Sequence, residues 1–213
     1  MIFDIQRSNN TKVEEMYDKA MKELIEFFHF NWNQHTPKVI LVPDRETYNA
    51  LMGEKTKAWE EGTTLMSEDT VYVFAPEKID SETSHDYSDE TYYSLIKHEL
   101  CHLFISSICE GDIPAWIDEG IAVYSEGDMS KYYKPEKFEH FLDFYKRDSG
   151  GYHYEMGRAV EILVNRFGKE KVLDFAKACT GVETKEEIGK IFKNFFGIEL
   201  GYEWFNKMLK EMK

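Results

Sequence analysis

LIKHELCHLF, residues 95–104, is the stretch on which the reading of this chain turns. Leu95, Ile96, Leu100, Leu103 and Phe104 recur at helical spacing and continue to Ile108. The segment therefore reads as the middle of a long helix over 90–108, apolar round much of its circumference. Set into that helix are His98, Glu99 and His102. Positions i and i+4 share one helix face about a turn apart, so His98 and His102 can offer two imidazoles to one metal ion. Glu99 projects about 100° round from His98, too far to join the same coordination sphere but within reach of a water held there. The alternative for H-E-x-x-H is an ordinary helix with two surface histidines. Burial weighs against it, because unpartnered histidines and a carboxylate are expensive on a buried helix.

A catalytic zinc site takes three protein ligands and keeps one position open. The next segment, IPAWIDEGIAVYSEG (113–127), offers the third. Pro114 can open a helix whose apolar side holds Trp116, Ile117, Ile121 and Tyr124, and Glu119 sits mid-helix between bulky apolar patches. A charge there suits a metal ligand; its other reading is a solvated helix face. Asp118 is the poorer candidate, on a different azimuth. The expected cofactor is one Zn2+ per chain, which brings the pKa of bound water down to about 7. Glu99 is then the expected general base, passing the proton on to the leaving amine. In GYHYEMGRAVEILVNRFG (151–168), Tyr154 falls at a helix start and Gly157 allows close approach. A phenol so placed can donate to a developing oxyanion, although a packing tyrosine reads the same way.

The remainder supplies a frame. Residues 11–30 read as an amphipathic helix with Thr11 and Glu14 as a capping box. PKVILVP (37–43) reads as a strand, followed by a helix over 45–53 capped by Asp44 and stopped by Gly53. TLMSEDTVYVFAPE (64–77) reads as a hairpin, and the acidic 77–90 as a surface loop. Beyond the 90–108 helix, helices are expected over 114–125, 135–147, 155–167, 169–179, 184–196 and 201–212, with Thr184 and Glu187 as a second capping box. The fold class is α+β: a small N-terminal sheet plus the histidine-bearing helix, then a mostly helical C-terminal lobe. The 213 residues suit a single domain over 1–213, with lobes of about 1–110 and 111–213.

A formal net charge of −14 argues against a nucleic-acid partner, and no apolar run approaches the length of a membrane span. Cys101, Cys109 and Cys179 form no close pair, so buried free thiols and a reducing compartment are expected. The N-terminus lacks the pattern of a secretory leader, and the expected location is cytoplasmic. Oligomeric state is not legible.

Taken together, HELCH (98–102), WIDEGIAVY (116–124) and YEMG (154–157) resemble, in order and spacing, the motifs of the gluzincin metallopeptidases. In that family the third zinc ligand is a glutamate on the following helix, and aminopeptidase-N-like members carry a Y-E-K-G element. The resemblance covers residues 38–168 and implies a zincin-like, peptidase-MA-type domain. It implies His98, His102 and Glu119 as ligands, Glu99 as base and Tyr154 as oxyanion donor. It also implies that Val71, Tyr72, Val73 and Phe74 form an edge strand holding an extended peptide. The chain departs from the pattern in four ways, the first being that the 16 residues between His102 and Glu119 are fewer than in the large aminopeptidases. Met156 stands in place of lysine, no G-x-M-E-N-like motif precedes the helix, and Val123 occupies a position where some members orient a histidine with aspartate. Asp118 and Glu126 are the candidates for that orienting role. His153 and Arg158 are further candidates to meet substrate, Arg158 through a substrate carboxylate, against a bland reading as a surface ion pair. The expected function is zinc-dependent hydrolysis of a peptide or protein substrate. The alternatives are a catalytically silent, zinc-retaining peptide-binding protein and a hydrolase of a non-peptide bond.

Overall fold

Val71, Tyr72, Val73 and Phe74 are β-branched or aromatic residues suited to a pleated, buried surface. They form the middle of a three-stranded sheet. A computed structural model describes residues 2–33, 35–129, 134–143 and 152–212. These fall into two compact units, Met1–Leu100 and Cys101–Lys213.

The first unit begins with α1 (Thr11–Phe28), which buries Val13, Ala20, Met21, Leu24 and Phe28 on one side. Its N-cap is Asn10, whose side chain accepts from the Val13 amide. Thr11 is thus the first helical residue and not the expected cap. Strand β1 (Lys38–Val42) leads into α2 (Arg45–Met52), capped by Asp44 Oδ1 on the Thr47 amide at 2.7 Å. Gly53 ends α2 at φ 75°, a left-handed conformation in which glycine carries no Cβ penalty. Strands β2 (Gly62–Leu65) and β3 (Thr70–Phe74) form the expected antiparallel hairpin, with Thr64 opposite Val71 and Gly62 opposite Val73.

The strand order is β1-β3-β2, with β1 parallel to β3. This corrects the edge-strand expectation for Val71, Tyr72, Val73 and Phe74. All five residues of β3 are buried and both its sides are paired, so no ladder groups remain for a peptide. An uninterrupted apolar run without alternation is the pattern of a strand covered on both faces. The 77–90 segment also differs from a plain loop, holding a 3-10 turn at Pro76–Lys78 and the short helix α3 (Ile79–Glu82).

Helix α4 (Asp89–Cys109) carries the H-E-x-x-H residues, and the two units divide within it, after Leu100. In the first unit its buried Tyr92 hydroxyl donates to the Phe74 carbonyl at 2.8 Å. Its buried Lys97 pairs with Glu23 of α1 at 2.5 Å, and Tyr93 donates to the same carboxylate at 2.9 Å.

The second unit continues with α5 (Ala115–Ser125), α6 (His153–Phe167), α7 (Lys169–Ala178), α8 (Lys185–Phe196) and α9 (Tyr202–Glu211). Thr184 caps α8 as expected, accepting from the Glu187 amide and donating to the Glu187 carboxylate. The core of this unit is aromatic: Trp116, Phe138, Phe141, Phe175, Phe192 and Phe205 are all almost wholly buried. Of the helix expected over 135–147, residues 144–147 lie outside the described residues. The part at 135–140 is not helical, and Phe141–Asp143 is a single 3-10 turn. Side chains from elsewhere take the backbone amides that a helix would have used. Asn206 accepts from Phe138, and one Glu155 oxygen accepts from Glu139, His140 and Phe141. That competition is a general route by which polar side chains displace helical structure.

Helices α5 and α6 meet at two glycines. A Cβ on Gly120 would stand 2.7 Å from Val160 Cγ2 and 2.8 Å from the Met156 carbonyl oxygen. One on Gly157 would stand 2.4 Å from Val123 Cγ1. No larger residue fits at either point without displacement. This contact fixes α5, and with it Asp118 and Glu119, against α6. Among the described residues, no helix is long and apolar enough to cross a membrane.

Candidate metal centre

Helix α4 is continuous, so His98 and His102 stand one turn apart on one rod. His102 is buried, with 7% exposure. Its Nδ1 lies 2.8 Å from Asp118 Oδ1, and its Nε2 lies 3.8 Å from Glu119 Oε2. Asp118 is itself buried and the Glu119 side chain is 17% exposed. Consecutive residues of α5 thus serve the two nitrogens of one imidazole. Asp118 accepts from Nδ1–H, which selects the tautomer whose lone pair is on Nε2, the nitrogen facing Glu119. This arrangement of carboxylate, histidine and ligand position is how proteins orient a metal-binding imidazole.

The ligand atoms of His98, His102 and Glu119 all lie within 4.8 Å of one another. Two imidazole nitrogens and a carboxylate oxygen are a donor set that zinc takes, with bonds of about 2.0–2.2 Å. Two such bonds span at most about 4.3 Å, so the 3.8 Å between His102 and Glu119 lets both reach one ion as they stand. With His98 the group offers three donors of types that zinc takes.

Glu99 is half-buried and follows His98 on α4, about 100° round the helix. Thr64 of β2 meets it: the hydroxyl lies 2.7 Å from Glu99 Oε2 and 2.8 Å from the Glu99 carbonyl oxygen. The fully buried Tyr48 phenol is pushed well above the ordinary tyrosine range, first by burial and then by the negative charges of Glu99 and Glu60.

The other expected site residues are placed as follows. Tyr154 occupies the first turn of α6 with 45% exposure, beside His153, which is half-buried. Arg158 is buried, not at the surface, and pairs with Glu161 at 2.5 Å while donating to the Met129 carbonyl at 2.7 Å. Asp118, a poorer ligand candidate in the sequence, takes the orienting position. Thr64 escaped the sequence reading altogether, since its partner lies 35 residues away and no local pattern marks the contact.

No protein-family model matches the chain, and no curated protein matches it.

Proposed function

We propose that the protein is a zinc-dependent peptidase, with His98, His102 and Glu119 as ligands. The observation that carries this reading is the convergence of those three donors, with Asp118 on the far nitrogen of His102. A zinc ion held there supplies a Lewis acid and a water acidic enough to react at neutral pH. Glu99 lies one residue from His98 on the same helix and serves as the general base, taking the water proton and returning it to the leaving amine. Tyr154, in the exposed first turn of α6, is the proposed donor to the oxyanion, and His153 flanks it. An extended peptide pairs with the outer edge of β2, whose inner edge is taken by β3 and whose Thr64 touches Glu99. The cytoplasm is the proposed location, consistent with three buried free cysteines.

The test is digestion of a diverse peptide library by the zinc-loaded protein beside Glu99→Gln, read by mass spectrometry. Cuts made by the wild type and missing from the variant support the reading, and their positions separate endopeptidase from exopeptidase action. Zinc bound at one per chain with no cuts from either protein overturns it in favour of a silent peptide-binding protein.

A further inference from the structure

We infer that Thr64 is a positioning residue for Glu99, holding carboxylate oxygen Oε2 so that Oε1 is the oxygen that exchanges protons with the reacting water. The assignment of a reaction to Glu99 rests on the peptidase reading above; the hold itself does not.

The Thr64 hydroxyl has two acceptors in reach, Glu99 Oε2 at 2.7 Å and the Glu99 carbonyl at 2.8 Å. A hydroxyl has one proton to give. The Glu99 carbonyl lies inside α4, where the amide one turn on already supplies its donor. A bond to an ionised carboxylate is shorter and roughly twice as strong as a neutral one, so the proton goes to Oε2. Among the described residues, the Thr64 hydroxyl is the donor that meets this carboxylate, and it meets Oε2.

The hold is delivered by a rigid part. Thr64 is 9% exposed and fixed in register opposite Val71 of the buried β3. Its β-branched side chain is stiff at χ1, so the strand backbone sets where the hydroxyl points. Gly62 lies two residues away on the same strand face, and a Cβ there would sit 3.5 Å from Glu99 Cγ. That face of β2 therefore lies along the Glu99 side chain. A glutamate with no such contact samples several rotamers, and a misplacement of about 1 Å costs a reacting group up to about 100-fold in rate.

The experiment compares wild type, Thr64→Val and Thr64→Ser. Valine keeps the shape and removes the hydroxyl; serine keeps the hydroxyl. Crystal structures of the metal-free proteins come first. One Glu99 conformer in wild type and T64S, with the carboxylate spread over several in T64V, supports the hold. An unchanged single conformer in T64V overturns it. Kinetics on a peptide cut by the wild type come second. The expected result is a kcat lowered about 10- to 100-fold in T64V, with KM, zinc affinity and Tm near wild type, and most of the rate restored in T64S. A wild-type kcat in T64V, or a T64S as slow as T64V, overturns the positioning role. A wild type that binds zinc and cuts nothing defeats the peptidase reading instead, while the crystal structures still decide whether Thr64 holds Glu99.

Discussion

Asp118 Oδ1 and His102 Nδ1 are 2.8 Å apart inside the protein, with both side chains less than 10% exposed. The bond is a local consequence of α5: Asp118 and Glu119 are adjacent, so they project about 100° apart and reach different edges of the same ring. Loss of an orienting carboxylate of this kind weakens metal binding by about 10- to 100-fold. Asp118→Ala should raise the zinc dissociation constant by that factor in competition with a chelator of known affinity. Asp118→Asn, which keeps an oxygen able to accept from Nδ1–H, should lose less. Wild-type affinity in both variants would remove Asp118 from the metal centre.

The crossing of α5 and α6 makes a prediction about stability that reverses sign with position. In a helix interior, alanine is preferred to glycine by about 0.5–1 kcal/mol. At Gly157 the added methyl would stand 2.4 Å from Val123 Cγ1 and 2.8 Å from Val123 Cβ, and at Gly120 it would meet the Met156 backbone. Overpacking of this kind costs about 1–3 kcal/mol, which outweighs the gain in propensity. Gly120→Ala and Gly157→Ala should both lower the urea midpoint. Gly189, inside α8, has nothing within 4 Å of the same position, and Gly189→Ala should raise it. Equal shifts at the three sites would mean the crossing is looser than described.

The helical lobe and the grouping of His98, His102 and Glu119 were legible because they rest on short periods. H-E-x-x-H reports its geometry within one turn of one helix, and Glu119 stands out as a charge among Trp116, Ile117 and Ile121. What escaped the sequence was decided by partners distant in the chain. The run at 71–74 announced a strand, but whether it lay at the edge or the centre depended on β1, some 30 residues upstream. The segment at 135–140 has the composition of a helix, yet Glu155 and Asn206 claim its amides. Asp118 was visible as a candidate in two roles, and only the position of His102 could choose between them.

The contact between Glu23 and Lys97 should be visible in the acid limb of the stability curve. Burial alone would raise the Glu23 carboxyl; the hydrogen bonds from Lys97 and Tyr93 and the charges of Lys97 and Lys19 outweigh it, and the pKa lies below its ordinary value of 4.5. A group depressed on folding contributes fully above its unfolded pKa, and the contribution fades as pH falls through the folded value. Glu23→Gln should therefore be less stable than wild type at pH 7, and the gap should narrow from about pH 4.5 downward. The Glu23 side chain is 39% exposed, so solvent screening keeps the gap modest. Urea midpoints from pH 7 to pH 3 measure it. A gap constant across that range would show that the carboxylate charge contributes nothing.

The cysteines give a probe that also reports on Asp118. Burial pushes the Cys179 thiol up to about 12, with Cys109 adding to it; burial pushes Cys109 up to about 11, with the Asp118 charge adding to it. Thiolate, not thiol, reacts with a disulfide reagent, so at pH 8 only about one Cys109 in a thousand is competent, even before access is considered. Cys101 is wholly buried as well. Native protein at pH 8 should release no colour from such a reagent over minutes, and protein unfolded in urea should release three equivalents at once. Rapid labelling of any thiol in the native state would contradict the burial of all three. Removing the Asp118 charge withdraws one of the two contributions that raise Cys109 and neither of those at Cys179. Asp118→Asn should therefore speed labelling of Cys109 at pH 9–10 and leave Cys179 as slow as before, a difference peptide mapping after alkylation resolves. Faster labelling of both thiols would instead mean that the substitution loosens the second unit, and the loss of zinc affinity expected for Asp118 variants would then have a structural origin.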